Sequence, residues 1–277
     1  MIATLPMYDR AETAAHNNKF WSAIKKALGF GPDRLSRTED LWSLWQNEDL
    51  VFAQTCGLPY RKYLFDKVHY IATPDYGLHG CPPGYYNSLF ISYEDQELSQ
   101  AAQGTFAFNE TLSQSGWAGP MCHLDTLNLS PRAVVKTGSH VNSARAVAEK
   151  QADFAAIDAQ SWRMIQTHDP FAKSLLVIGE TAPVPGLPFI CGKKFDPDAV
   201  CAAIETAILN LEEKTREALS LKGVIRIDPQ RYLEMPTPRR GFEETRFRRD
   251  FAKFDQILQF AHCLGGFIRP KLSISYN

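Results

Sequence analysis

The chain has 277 residues, 44% apolar and 22% charged, with 30 basic residues against 31 acidic ones and a net charge of -1. That composition belongs to a folded globular chain and excludes an extended disordered one. No apolar stretch reaches the 18 or so residues that a bilayer-spanning helix needs, so no membrane-spanning segment is expected. The densest basic stretch, Arg239 to Arg249, is interrupted by Glu243 and Glu244 and reads as a solvated face, so nucleic acid is not an expected partner.

A length of 277 residues exceeds what one hydrophobic core usually serves, which predicts two lobes. Met1–Met7 is too short for the apolar region of a signal peptide and has no basic residues ahead of it. It reads instead as an opening strand, and the chain as it stands is expected in the cytoplasm, or in the periplasm if a signal was removed. The six cysteines, Cys56, Cys81, Cys122, Cys191, Cys201 and Cys263, form no C-x-x-C pair and no cluster with histidine. No metal site is expected; buried thiols are.

In chain order, the strand Ile2–Met7 leads to a helix carrying Phe20, Trp21, Ile24, Ala27 and Leu28 at helical spacing, ended by Gly29, Gly31 and Pro32. A short helix over Asp40–Trp45 precedes the apolar strand Leu50–Ala53, and a third strand, Val68–Ala72, runs into Thr73–Gly77. This alternation predicts a parallel sheet with covering helices. A turn-rich stretch from His79 to Gly84 follows, then a strand over Ser88–Tyr93. A second series comes next: strand Thr105–Phe108, a helix from about Ser115, strand Ala133–Thr137, helix Asn142–Lys150, strand Phe154–Ile157 and strand Ser174–Gly179. Pro183, Pro185, Gly186 and Pro188 punctuate the chain again. Amphipathic helices are predicted over Pro197–Leu221 and Phe247–Leu264. Two Pro/Gly-rich crossings bracket a middle segment, so one lobe is predicted over 1–86 and 187–277 and the inserted one over 87–186, with a hinge and a cleft between them.

Ligands of open parallel sheets bind beyond the carboxyl ends of the strands. Those ends supply Tyr8 and Asp9, then Gln54-Thr55-Cys56-Gly57, then Tyr76, and in the middle segment Asn109–Gly116, Gly138-Ser139-His140 and Asp158. Ser113-Gln114-Ser115-Gly116 is the sharpest of these. Hydroxyls and a glycine at a helix start can aim N–H groups at an anion, and they serve equally as an N-cap and turn. His140 could bond an oxyanion or cap its helix. Asp158 could hold the cationic group of a zwitterion or a neighbouring N–H, and Asp9 is open in the same way. Cys56 reads as a packed thiol behind the pocket, because no partner histidine can be named for it. A nucleophile elbow, Walker loop, Rossmann glycine fingerprint and HExxH are all missing, so no catalytic residue is assigned and no cofactor is expected.

The segment Thr137-Gly138-Ser139-His140-Val141-Asn142-Ser143-Ala144-Arg145-Ala146-Val147-Ala148-Glu149, followed by Ala152-Asp153-Phe154-Ala155-Ala156-Ile157-Asp158, resembles the phosphonate/phosphate-type substrate-binding proteins of ABC transporters. The Ser-x-Ser-Gly helix start, Tyr85-Tyr86-Asn87-Ser88 and the Pro-rich return at 183–188 fit the same group. The likeness spans about residues 1–195. It implies an α/β, two-lobed type 2 periplasmic-binding fold and a solute-binding protein, not an enzyme, that captures a small anion or zwitterion for an ABC permease. Ser113, Ser115 and Gly116 would hold the headgroup with His140 beside them, while Asp158, Tyr8 and Asp9 would face the rest of the ligand. Gln114 interrupts the hydroxyl run usual at this helix start, which leaves carboxylate and sulfonate open beside phosphonate. The rival readings are a cytoplasmic enzyme on the same fold, like those of thiamin or menaquinone biosynthesis, and a ligand sensor.

Overall fold

Leu50–Gln54 is buried at every position, the pattern of a strand covered on both faces. Around such runs the computed structural model, which describes residues 1–37 and 40–238, builds two five-stranded sheets. In chain order the strands are β1 (Ile2–Thr4), β2 (Leu50–Gln54), β3 (Val68–Asp75), β4 (Tyr85–Tyr86), β5 (Ser88–Ser92) and β6 (Thr105–Phe108). They continue with β7 (Ala133–Lys136), β8 (Phe154–Asp158), β9 (Leu176–Glu180), β10 (Val184–Pro185), β11 (Phe189–Gly192) and β12 (Gly223–Ile225). One sheet has the order β1-β2-β11-β3-β12 and the other β7-β6-β8-β5-β9, while β4 and β10 pair as a separate antiparallel ribbon.

Neither sheet is wholly parallel, which corrects the parallel sheet predicted from the alternation of elements. β1 and β2 are parallel, but β11 lies antiparallel between β2 and β3. In the other sheet β6 runs parallel to β7 and β8, whereas β5 is antiparallel to β8 and β9. The chain that crosses back at Pro183–Pro188 re-enters the first sheet from the opposite end, so its strand must run the other way. Tyr232 fixes this return: its buried hydroxyl donates to the Gly186 carbonyl at 2.8 Å and lies 2.6 Å from Thr73 Oγ1.

The helix Ala14–Leu28 buries Phe20, Trp21 and Ile24 and ends at Gly29 in the left-handed region (φ 78°), whose N–H returns to the Lys25 carbonyl. That conformation is open to glycine without a Cβ clash. Trp21 stacks on Phe52, with centroids 6.0 Å apart and planes 8° apart, and Phe189 closes on the same ring at 4.9 Å. The single helix expected over Pro197–Leu221 is two, Pro197–Asn210 and Glu213–Ala218, separated by extended backbone at Leu211 and Glu212. The break lets Leu211 bury and brings Thr215 Oγ1 within 3.2 Å of His16 Nδ1. The opening strand stops at Thr4, short of the expected Met7. Helices over Gly57–Leu64 and Ala159–His168, and the strands β11 and β12, carried no sequence signal strong enough to be predicted. Among the described residues all five cysteines are free, with Cys191 and Cys201 buried. No described helix is long and apolar enough to cross a membrane. The predicted helix over Phe247–Leu264, the basic stretch from Arg239, and Cys263 lie outside the described residues.

Candidate functional site

Strand ends of both sheets converge on a cleft of about 640 Å³. In the second sheet the β6–β7 ladder continues past its last strand pair. The Thr137 N–H donates to the Phe108 carbonyl at 2.8 Å, and the Gly138 N–H to the Asn109 carbonyl at 3.0 Å. These bonds hold the loop after β6 beside the loop after β7. Gly138 has φ 87°, a turn that glycine makes without strain. Ser139 then caps the helix His140–Ala148 by accepting from the Asn142 N–H at 3.1 Å. His140 is thereby placed on the first turn, facing Ser115.

At the inner end, Ser115 Oγ lies 3.0 Å from His140 Nε2, and Asp158 Oδ2 lies 3.7 Å from the same nitrogen. Asp158 ends the fully buried strand β8, and its side chain is only 3% exposed. It accepts from the Ser161 N–H and hydroxyl, each at 2.8 Å, capping the helix Ala159–His168. The Tyr8 hydroxyl donates to its other oxygen at 3.3 Å. Among the described residues no lysine or arginine pairs with it. Most other charged groups of the cleft are paired locally: Arg10 on Asp169 (2.7 Å) and Glu12 (3.0 Å), Asp9 on Arg37 (2.6 Å), and Glu110 on Lys136 (2.5 Å), while Asp40 caps the helix Leu41–Trp45 by accepting from the Ser43 N–H at 3.1 Å.

Burial lowers the pKa of His140, against the opposing field of Asp158 and the nearby Ala156 carbonyl. No aligned hydrogen bond forms at Nδ1. Burial raises the Tyr8 and Tyr86 phenols and the Cys56 thiol, each reinforced by the negative field of Asp158. A histidine held neutral in the folded state takes up its proton when the chain unfolds. The unfolded state therefore binds more protons below pH 6.5, and stability must rise with pH through that range. We expect the Tm to fall as the pH drops below about 6.5. In His140→Gln that fall should be smaller, as measured by thermal unfolding across pH 5–8, while an unchanged slope would place the titration elsewhere.

The structure distinguishes among the residues nominated from sequence. Tyr8, Cys56, Ser113, Ser115, His140 and Asp158 come together at the cleft. Asp9 lines it too, but is held by Arg37 and by Asn17, whose amide donates at 3.0 Å. Tyr76 stands behind: it meets Tyr8 edge-on at 5.2 Å and takes a hydrogen bond from Gln54. Gly57 packs behind the wall near the Met235 methyl and the Gln114 side chain. Gln114 turns away, its side-chain oxygen accepting from Arg61 at 3.3 Å. Three N–H groups of the Ser113–Gly116 turn are engaged within the protein, Ser113 on the Glu110 carbonyl at 3.0 Å, Gln114 on Cys56 Sγ at 3.3 Å and Gly116 on Ser113 Oγ at 2.9 Å. The turn thus offers side-chain hydroxyls to the cleft, more than an array of backbone donors.

Gly116 is required by what sits over it. A Cβ there would collide with the Asn109 carboxamide oxygen and come within 3.2 Å of His140 Cε1. Asn109 Oδ1 is itself buried without a hydrogen-bond partner. Gly116→Ala should push both side chains aside, cost about 1–3 kcal/mol in denaturant unfolding, and disturb the Ser115–His140 pair. A variant of native stability would mean that the loop yields freely. Trp42, Leu112, Val141 and Ser161 also line the cleft. The Asp158-x-x-Ser161 spacing of an N-cap was the one sequence signal for that last residue; Trp42 reads from the sequence as core or cleft wall and not as a stacking box, and Leu112 and Val141 carried no signal.

A family model described as "ABC transporter, phosphonate, periplasmic substrate-binding protein" matches residues 2–232. No curated protein matches the sequence significantly. Among solved structures, PhnD1 from Prochlorococcus marinus in complex with methylphosphonate is 16% identical with a TM-score of 0.66, covering 83% of this chain and 94% of that one. A binding protein component of an ABC phosphonate transporter from Pseudomonas aeruginosa is 17% identical at TM-score 0.66, covering 83% and 82%. A Xanthomonas citri protein bound to ATP is 18% identical at TM-score 0.59, covering 83% and 92%. These likenesses carry the two-lobed periplasmic-binding fold expected from the sequence. With its model matched from residue 2 to residue 232, the chain belongs to the phosphonate-type periplasmic substrate-binding proteins of ABC transporters, a family of solute binders and not of enzymes.

Proposed function

We propose that the cleft holds a small zwitterion with a phosphonate-like head and delivers it to an ABC permease. The observation that carries this reading is the inner end of the cleft. The Ser115–His140 pair, 3.0 Å apart, adjoins a carboxylate, Asp158, that no lysine or arginine among the described residues pairs with. An anionic head can take the hydroxyls of Ser113 and Ser115 and, on protonation, the imidazole. Burial lowers the His140 pKa and favours the neutral ring with its one proton, against the opposing field of Asp158 and the Ala156 carbonyl. A cationic group on the same ligand would supply the counter-charge that Asp158 lacks, since burying an unpaired carboxylate is costly. A dianion with no cationic group would meet that carboxylate uncompensated.

The lobes are taken to be 1–86 with the chain from 187 onward, and 87–186. Support comes from the sheets: the first draws its strands from 2–75 and 189–225, the second from 88–180. The catalytic reading gains nothing from the geometry. In a serine relay the carboxylate holds the ring nitrogen opposite the nucleophile, whereas Ser115 and Asp158 approach the same nitrogen, Nε2. Cys56 has its thiol pKa raised by burial, the reverse of nucleophile activation.

Titration calorimetry with aminomethylphosphonate, methylphosphonate and inorganic phosphate tests the proposal. Aminomethylphosphonate should bind more tightly than the other two, be recovered unchanged, and lose about tenfold in affinity with Ser115→Ala, the ~1.4 kcal/mol of one hydrogen bond. Tighter binding of phosphate than of aminomethylphosphonate would overturn it, and so would an unaffected Ser115→Ala.

A further inference from the structure

The headgroup site occupies only one end of the cleft. A volume near 640 Å³ lies within the roughly 300–1,000 Å³ of pockets that enclose drug-sized ligands. It would hold on the order of twenty waters at about 30 Å³ each, far more than a phosphonate with a one-carbon substituent displaces. Apolar side chains line the cleft from both sides, beside the charged Asp9, Arg10, Asp40 and Glu110. Met7, Leu41 and Trp42 come from segments around the first sheet; Leu112 and Val141 come from the loop after β6 and the helix after β7. All five are only half-buried. Water excluded from such surfaces is favourable in proportion to the apolar area covered, about 25 cal/mol per Å².

Trp42 is held for this purpose. Its ring stands edge-on to Trp45 (5.5 Å, 84°) and to Tyr63 (5.6 Å, 88°). Trp45 is itself fixed by donating from Nε1 to the Gln54 carbonyl at 3.2 Å. An indole braced by two T-shaped aromatic contacts and lining a cleft suits a flat partner, because aromatic pairs gain from offset or edge contact beyond the area they bury.

We infer that the ligand carries an aromatic substituent next to its charged head, sandwiched between Trp42 with Leu41 on one wall and Leu112 with Val141 on the other. This rests on the headgroup reading above and specifies the part of the ligand that that reading leaves open. The polar end sets which head is accepted, and the apolar walls set what it must be attached to.

The test compares two probes that differ only by a ring, aminomethylphosphonate and amino(phenyl)methylphosphonate, by calorimetry on the whole protein. The phenyl compound is expected to bind about tenfold tighter or better. The ratio of the two affinities should fall to about one in Trp42→Ala, whose cooperative thermal unfolding shows the variant to be folded. Leu112→Ser, on the opposite wall, should remove part of the gain without touching the Trp42 cluster. Equal affinity for the two probes, or weaker binding of the phenyl compound, overturns the inference and leaves the headgroup reading intact. A gain that survives both substitutions overturns the placement of the ring. Failure of both probes to bind removes both readings.

Discussion

Asp158→Ala will bind a zwitterionic phosphonate at least about thirtyfold more weakly than the native protein. That is the lower end of the ~2–5 kcal/mol lost when one partner of a buried charge contact is truncated. The same variant will be less stable, because the carboxylate also caps the helix Ala159–His168 through both Ser161 donors and accepts from the Tyr8 hydroxyl. Loss of an N-cap costs about 0.5–2 kcal/mol, and relief of a buried charge offsets part of that. Asp158→Asn separates the two roles. Its carbonyl oxygen can still cap Ser161, so stability should stay near native, whereas the charge that would face the ligand's cation is gone. Calorimetry on both variants, with chemical denaturation beside it, reads the outcome. Undiminished binding by Asp158→Asn would show that the ligand makes no use of the charge.

Phe52→Ala is expected to be the most destabilising single substitution on the sheet that carries Cys56, costing about 3–5 kcal/mol. The ring is wholly buried between Trp21 and Phe189, with Phe20 at 6.3 Å. No neighbour in that cluster can collapse into the space without leaving its own contacts. Against the 5–15 kcal/mol that folded domains usually hold, this is a large share. β2 leads directly into Gln54-Thr55-Cys56, yet none of the headgroup side chains touches Phe52. A ligand should therefore restore apparent stability by mass action, about 2.7 kcal/mol at a hundredfold excess over Kd. Urea titrations with and without aminomethylphosphonate check both statements. A loss under 1 kcal/mol would mean that the aromatic cluster repacks.

Local sequence patterns specify the elements of this fold. Short continuous apolar runs such as Leu50–Ala53 and Phe154–Ile157 read as covered strands by their length and flanks. The 3.6-residue spacing of Phe20, Trp21 and Ile24 ahead of Gly29 fixes a helix and its end. The polar residues that follow the strands were legible too, because strands that pack must be apolar and their ends need not be. Six of the eleven nominated residues meet at the cleft without a built-in reservation. The rest depends on contacts between residues far apart in the chain. Strand direction depends on which end of a sheet the chain re-enters, so the antiparallel β11 between β2 and β3 left no mark in local periodicity. The pairing of Asp9 with Arg37 and the turning of Gln114 toward Arg61 withdrew two polar residues from the cleft through long-range contacts. The apolar wall around Trp42 is the counterpart: half-buried apolar side chains look like core in a sequence, and only the space left between two lobes makes them the lining of a site.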